Sequence, residues 1–311
     1  MRFGRVALVI LSSGFIAVFG PALFAASDAN GSPSVPTPAS LATPNGLVGT
    51  RFGPLGLFDS RSQYGTGFFP EPFLVDEGDL DREFVISSIH QEGAGSLSTS
   101  ATVEVEWSFK MLTVEVEAPY EHDITYDPTG RTNAEGMGSP ELSFRHPIWQ
   151  FVSPNETVDN TLVVSCETAF QVNSEESQST EIVPGLFDLL RIGDHFGFQA
   201  NLGLSTLYGG ADNHNETVEY SGDFSWVIDD TEMSLPREIL GIVPIVELAG
   251  ERHVNHGDFS DNLTGVAGVR FNLANIGRAL PRFGVGYIFP IDKQAREDFH
   301  WGVTVSLVFD L

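Results

Sequence analysis

The chain has very few basic residues, almost no cysteine and no long apolar run beyond its first two dozen positions. Sixteen Lys and Arg stand against 42 Asp and Glu among 311 residues, for a formal charge of −26. Only Lys110 and Lys293 are lysines. A surface this acidic has no basic face for phosphate, so nucleic-acid binding is excluded as a partner class. Cys166 is the one cysteine, so no internal disulfide can form and a disulfide-stapled secreted fold is ruled out. No apolar run after the N-terminal region is long enough for a membrane helix. That leaves strands as a way of crossing a bilayer, because barrel strands are short and alternating and hydropathy misses them. No helical periodicity is visible after the first two dozen residues.

The N-terminus carries Arg2 and Arg5, then the apolar VALVIL and FIAVFG, then PALFAAS. A charged start, an apolar middle and small residues at the end predict a signal peptide over residues 1–26 rather than a membrane anchor. Residues 27–46 are a Pro/Ser-rich linker by composition. Residues 47–80 hold FGPLGLF and GFFPEPFLVDEGD, aromatic but broken by Gly and Pro. They read as a periplasmic or lumen-docked segment, ordered by packing on something else. The expected barrel spans 81–311.

The clearest single element is the C-terminal FHWGVTVSLVFDL. Trp301, Val303, Val305, Leu307, Phe309 and Leu311 alternate with smaller or polar residues, the period of a strand with one apolar and one polar face. A closing strand of a membrane barrel needs that pattern. Counting this one, twelve candidate strands follow Arg82, near 83–92, 100–109, 111–120, 140–149, 161–172, 181–191, 196–207, 218–228, 239–249, 263–273, 282–289 and 300–311. The expected fold is therefore all-β, an antiparallel transmembrane β-barrel of about 12 strands, with 10 as runner-up. A soluble β-sandwich is the rival architecture.

Loop lengths agree with both termini at the periplasmic end. Tight turns at Lys110–Met111 and Gly193–Asp194 follow even strands, and the longest connections, Glu121 to Gly138 and Arg252 to Asn262, follow odd ones. The link from Gln150 to Asp159 is the exception. Aromatics gather toward strand ends, with Phe109, Trp149, Phe196, Trp226, Phe283 and Phe309 at one end and Tyr120, Phe170, Tyr220, Phe289 and Trp301 at the other.

The same alternation aims charges inward. If Val103, Val105, Trp107 and Phe109 face lipid, Glu104 and Glu106 face the lumen, and Glu115 and Glu117 follow on the next strand. A tight turn sets Glu106 opposite Glu115 and Glu104 opposite Glu117, a destabilising arrangement without cations, Arg or water. Glu141, Arg145, Glu167, Gln199, Asn201, Glu219, Asp223, Glu247, Arg270 and Arg282 share the inward phase. Two readings stay open. One is a constriction with an acidic wall (Glu104, Glu106, Glu115, Glu117) and a basic wall (Arg270, Arg282, Arg145). The other is a structural network that neutralises itself. Strand nine, GIVPIVELA, is apolar on both faces and holds Pro244. It reads as an apolar lining strip or lateral opening, as a surface against which residues 47–80 pack, or as a kinked strand without a role.

Chemistry-bearing motifs are sparse. His253, His256 and Asp258 in one loop are weak metal candidates, and a solvated loop is the simpler reading, so no metal and no cofactor is expected. No catalytic constellation is spaced for nucleophilic work, so no enzyme activity is expected. Cys166 lies on the lipid-facing phase.

LTVEVEAPYEH (112–122), GMGSPELSFRHPIWQ (136–150), LGLSTLYG (202–209), VPIVELAGE (243–251), GVRFNLANIG (268–277), PRFGVGYIFPID (281–292) and HWGVTVSLVFDL (300–311) together resemble the outer-membrane transporter family labelled "MetA-pathway of phenol degradation". The resemblance rests on strand and turn texture across most of 100–311, and the chain departs from the family in ending on Leu311 where such barrels often end on Phe or Tyr. It implies a barrel in the outer membrane of a Gram-negative-type bacterium, moving hydrophobic or aromatic compounds. The expected function is a passive channel or transporter for small solutes. Its partners are then outer-membrane lipid, the barrel-insertion machinery and the solute. The alternatives are a surface or structural protein without transport and a barrel enzyme hydrolysing lipids or esters.

Overall fold

In a computed structural model, residues 46–47, 72–74, 77–78, 82–109, 112–127, 130–155, 157–170, 180–209, 216–229, 232–254, 261–277 and 279–310 are described. The signal-peptide and linker expectations, the Lys110–Met111 turn, His256, Asp258 and Leu311 lie outside them.

Thirteen strands build twelve staves. They are β1 (Arg82–Gly93), β2 (Ser96–Phe109), β3 (Leu112–Asp127), β4 (Gly130–Met137), β5 (Glu141–Val152), β6 (Val158–Phe170), β7 (Thr180–Ile192), β8 (Phe196–Tyr208), β9 (Glu216–Trp226), β10 (Ile239–His253), β11 (Asp261–Leu273), β12 (Leu280–Pro290) and β13 (Trp301–Asp310). Every neighbouring pair is antiparallel, and β13 pairs β1 from Trp301↔Glu92 to Asp310↔Glu83, which closes the sheet. The protein is a closed, twelve-stave antiparallel transmembrane β-barrel. β4 and β5 share one stave. β4 pairs the outer half of β3 and β5 the inner half, with the Gly138 amide bonded to the Pro119 carbonyl at 2.9 Å between them.

Alternation decides which side each residue takes. Val103, Val105, Trp107 and Phe109 on β2, Val116 on β3, Phe144 on β5, Leu186 on β7, Leu202 and Leu204 on β8, Val246 on β10 and Val305 on β13 are exposed on the outer surface. The residues between them are buried polar groups, among them Glu106, Ser108, Thr113, Glu115, Gln199, Asn201, Thr304 and Ser306. Leaving side chains of this size in water costs about 1.5–3 kcal/mol each. A continuous belt of them is stable only against hydrocarbon. Cys166 is exposed on this outer face, unpaired.

Proline sets the irregularities, because it has no N–H for the ladder. Pro147 stands at a register shift in the β5–β6 pairing. Pro184 faces a stretch where the β7–β8 pairing skips from Ile182↔Thr206 to Gly185↔Gly203. Pro244 lies where the β9–β10 pairing ends at Ser225↔Ile245, before the short Ile228–Asp229 strand resumes it at Ile228↔Ile242.

Two expectations are corrected. Glu121 to Gly138 is not a loop: β3 runs on to Asp127 and returns as β4, an exposed hairpin beyond the barrel. Apart from the buried Ile124 its residues are mostly exposed, so no alternation marks them as strand. A helix also exists, α1 (Lys293–Asp298), six residues between β12 and β13. It is too short to show a 3.6-residue period. Its readable signal is the N-cap, where the Asp292 Oδ1 accepts from the Ala295 amide at 2.8 Å.

Candidate solute path through the barrel

The interior has two regions. The first is the wall of β2, β3 and β5. The register places Glu104 opposite Glu117 and Glu106 opposite Glu115. At close range, facing carboxylates repel by about 3–4 kcal/mol at an effective dielectric near 20. Arg145, on β5, stands between two of them. Its Nη1 donates to Glu106 Oε2 and its Nη2 to Glu115 Oε2, all three side chains being buried. Carboxylate oxygens of Glu104, Glu106 and Glu115 lie within 4.8 Å of one another, close enough to hold a metal ion, but the Arg145 guanidinium already serves two of the three. Arg145 therefore sits within the acidic wall, not with Arg270 and Arg282. Beside it, Ser143, Ser165, Glu167, Gly185 and Asn201 line a small polar pocket.

The second region is the wall of β10 to β13 and β1. Arg270 and Arg282 are side by side on β11 and β12, with Arg270 opposite Gly284 and Arg282 opposite Asn272. Arg282 donates to Asp310 Oδ2 at 2.5 Å and lies 3.6 Å from Glu83 Oε1. Those three residues stand on three consecutive staves across the closure. Above them, Val243, Ile245, Val266 and Ile288 form an apolar strip that continues to Ala295 and Phe299 of the α1 connection. Strand β10 thus contributes a lining strip on its inner face, while Pro244 is exposed outside.

Residues 72–74 and 77–78 lie in the lumen. Phe73 is buried in the apolar strip. Its ring lies against Gly268, Gly284 and Gly286, where an added Cβ would come within 2.4–3.4 Å of ring carbons. The Phe73 and Leu74 amides donate to the two oxygens of Glu247 at 2.6 and 3.0 Å. Arg270 Nη2 donates to the Pro72 carbonyl at 2.7 Å, and its guanidinium carbon is 4.5 Å from the Phe73 ring centroid. Gly78 donates to Gln199 Oε1 at 3.2 Å and packs on Phe187 and Leu189, so the segment crosses from the β11–β12 wall to the β7–β8 wall. Glu77, buried with it, is near enough to act electrostatically on Arg145, Arg282 and Asp223.

Sequence reasoning named Glu247 and Arg270 as inward and offered residues 47–80 as packing against the strand that carries Glu247, but did not name Pro72, Phe73 or Leu74 as the contacts. The signal was present in GFFPEPFLVDEGD, an aromatic stretch with no ladder of its own. Glu83 and Asp310 were also missed as partners of Arg282, because the closing pair joins residues 227 positions apart. Of the weak metal candidates, His253 is at the end of β10, with its Nδ1 2.8 Å from Thr217 Oγ1.

No protein-family model matches the chain, and no curated protein does by sequence. Among solved structures, the COG4313 outer membrane channel from Pseudomonas putida F1 superposes with a TM-score of 0.50 at 10% identity, over 75% of this chain and 98% of that one. That likeness establishes the fold. LpxR from Salmonella typhimurium (TM-score 0.40, 7% identity, 74% of this chain and 100% of that one) and the KdgM porin (0.37, 10%, 73% and 99%) are more distant.

Proposed function

We propose that the chain is an outer-membrane passive channel for small solutes. The observation that carries this reading is the inversion of the barrel: an apolar belt outside and a charged, hydrogen-bonding interior across the same staves. Buried carboxylates and arginines each cost several kcal/mol to desolvate unless paired, and an interior this polar suits an aqueous path for solutes. The similarity in fold to an outer membrane channel supports the same location and class. Residues 1–26 then act as the export signal, and folding requires barrel-insertion machinery.

The finer part of the proposal is the solute. The strip of Val243, Ile245, Val266 and Ile288 beside Arg270 supports passage of solutes with an apolar, aromatic part and a polar part. The polar constriction is then formed by Arg270 and Arg282 facing a wall whose charge Arg145 partly neutralises. Swelling of liposomes carrying the purified barrel tests the class. Amino acids and phenolic solutes should enter faster than large sugars. Swelling no faster than in protein-free liposomes for every solute contradicts it.

A further inference from the structure

Phe73 sits in the lumen as a guest in a built seat. Gly268 and Gly284 leave a floor that closes on the ring to within 2.4–3.1 Å of where side-chain carbons would be, and Arg270 covers the ring. Two carbons from that ring, the Phe73 nitrogen donates to Glu247 at 2.6 Å. The seat also has an excess of negative charge. Asp223 stands directly opposite Glu247 on β9, fully buried, and neither of its carboxylate oxygens has a hydrogen-bond partner among the described residues. Glu77 adds a third acid acting on Asp223, against Arg270 as the cation. A backbone amide supplies Glu247 with a hydrogen bond but no charge. An ammonium at the same place supplies both, and a charge-assisted hydrogen bond is roughly twice as strong as a neutral one.

We propose that this seat is a binding site for an arylalkylamine, a flat ring two carbons from a basic nitrogen, and that residues 72–74 occupy it as a displaceable competitor. The proposal rests on the channel reading, since the ligand must reach the lumen. The ring takes the glycine floor under Arg270, the ammonium takes Glu247 and Asp223, and the segment leaves. Because the seat is filled by the chain itself, the apparent affinity is the intrinsic affinity multiplied by the fraction of molecules in which it is vacant.

Titration calorimetry of the full chain in detergent with phenethylamine tests it. 2-Phenylethanol, with the same two-carbon spacing, serves as the uncharged analogue and butylamine as the ringless one. Phe73→Ala should bind phenethylamine roughly tenfold tighter than the unaltered chain, because the competitor's ring is gone. Glu247→Gln in that background should lose roughly tenfold or more. Both analogues should bind at least about tenfold more weakly than phenethylamine. Heat-modifiable gel mobility verifies that each variant is folded. If Glu247→Gln does not fold, Gly284→Ala in the Phe73→Ala background takes its place and should weaken binding by narrowing the floor. Equal affinity of Phe73→Ala and the unaltered chain, or of phenethylamine and 2-phenylethanol, overturns the proposal, as does an unchanged affinity in the Glu247 or Gly284 variant. Equilibrium binding needs no conductance, so a failure here leaves solute flux intact, and absent flux with intact binding removes the channel reading instead.

Discussion

Arg145 makes two facing glutamate strands compatible with one wall. The β2–β3 register alone brings Glu106 against Glu115, and the guanidinium from β5 converts a repulsion into two charge-assisted contacts. Removing it leaves two buried carboxylates without their cation. Arg145→Met should therefore lower stability by about 3–5 kcal/mol, read as a lower midpoint in denaturant unfolding from detergent. Adding Glu106→Gln and Glu115→Gln should restore part of the loss. An unchanged midpoint in Arg145→Met would show that water or another cation already carries the load. The inward phase of Glu106, Glu115 and Arg145 was legible from alternation. Which wall Arg145 serves was not, because the period of two assigns a side and says nothing about reach across staves.

The elements were legible where one face meets lipid and the other the interior, and illegible elsewhere. All twelve staves fall where alternation placed them. The β3–β4 hairpin was hidden because, Ile124 apart, most of its residues are exposed and carry no alternation, and α1 because six residues are under two turns. These two elements predict different behaviour. Barrel-level pairing continues from Thr113↔Arg145 to Glu117↔Glu141 without the hairpin. Residues up to Thr125 still pair β2, so replacing only the tip, 126–131, by a short turn should leave the unfolding midpoint unchanged, and a large fall would contradict that independence. In contrast, Asp292 caps α1 and also accepts from the Leu263 amide at 3.0 Å, tying the connection to β11. Asp292→Ala should cost about 1 kcal/mol locally, seen as faster hydrogen exchange at Ala295 and Phe299. Exchange confined to its original rate would mean the helix is held by Phe299 packing alone.

At the scale of the molecule, closure and charge belong together. The last strand, read from FHWGVTVSLVFDL, pairs the first over ten residues, and Glu83, Arg282 and Asp310 tie three staves at that seam. Asp310→Asn together with Glu83→Gln should strip Arg282 of both carboxylates and lower the temperature at which heat-modifiable mobility is lost; an unaltered transition would place closure in the backbone ladder alone. The path through the barrel was less readable than its wall, because Phe73 reaches Glu247 and Arg270 by contacts 174 and 197 positions apart with no repeating pattern behind them. Inward carboxylates, including Glu83, Glu104, Glu106, Glu115, Glu117, Asp223, Glu247 and Asp310, outnumber the inward Arg145, Arg270 and Arg282. An interior of that sign favours cations. The most direct test of the channel itself is planar-bilayer recording under a salt gradient, on the unaltered chain and on Phe73→Ala. The prediction is discrete conductance with a cation-selective reversal potential, larger in Phe73→Ala. Folded, heat-modifiable barrels of both proteins that insert and pass no current would contradict it.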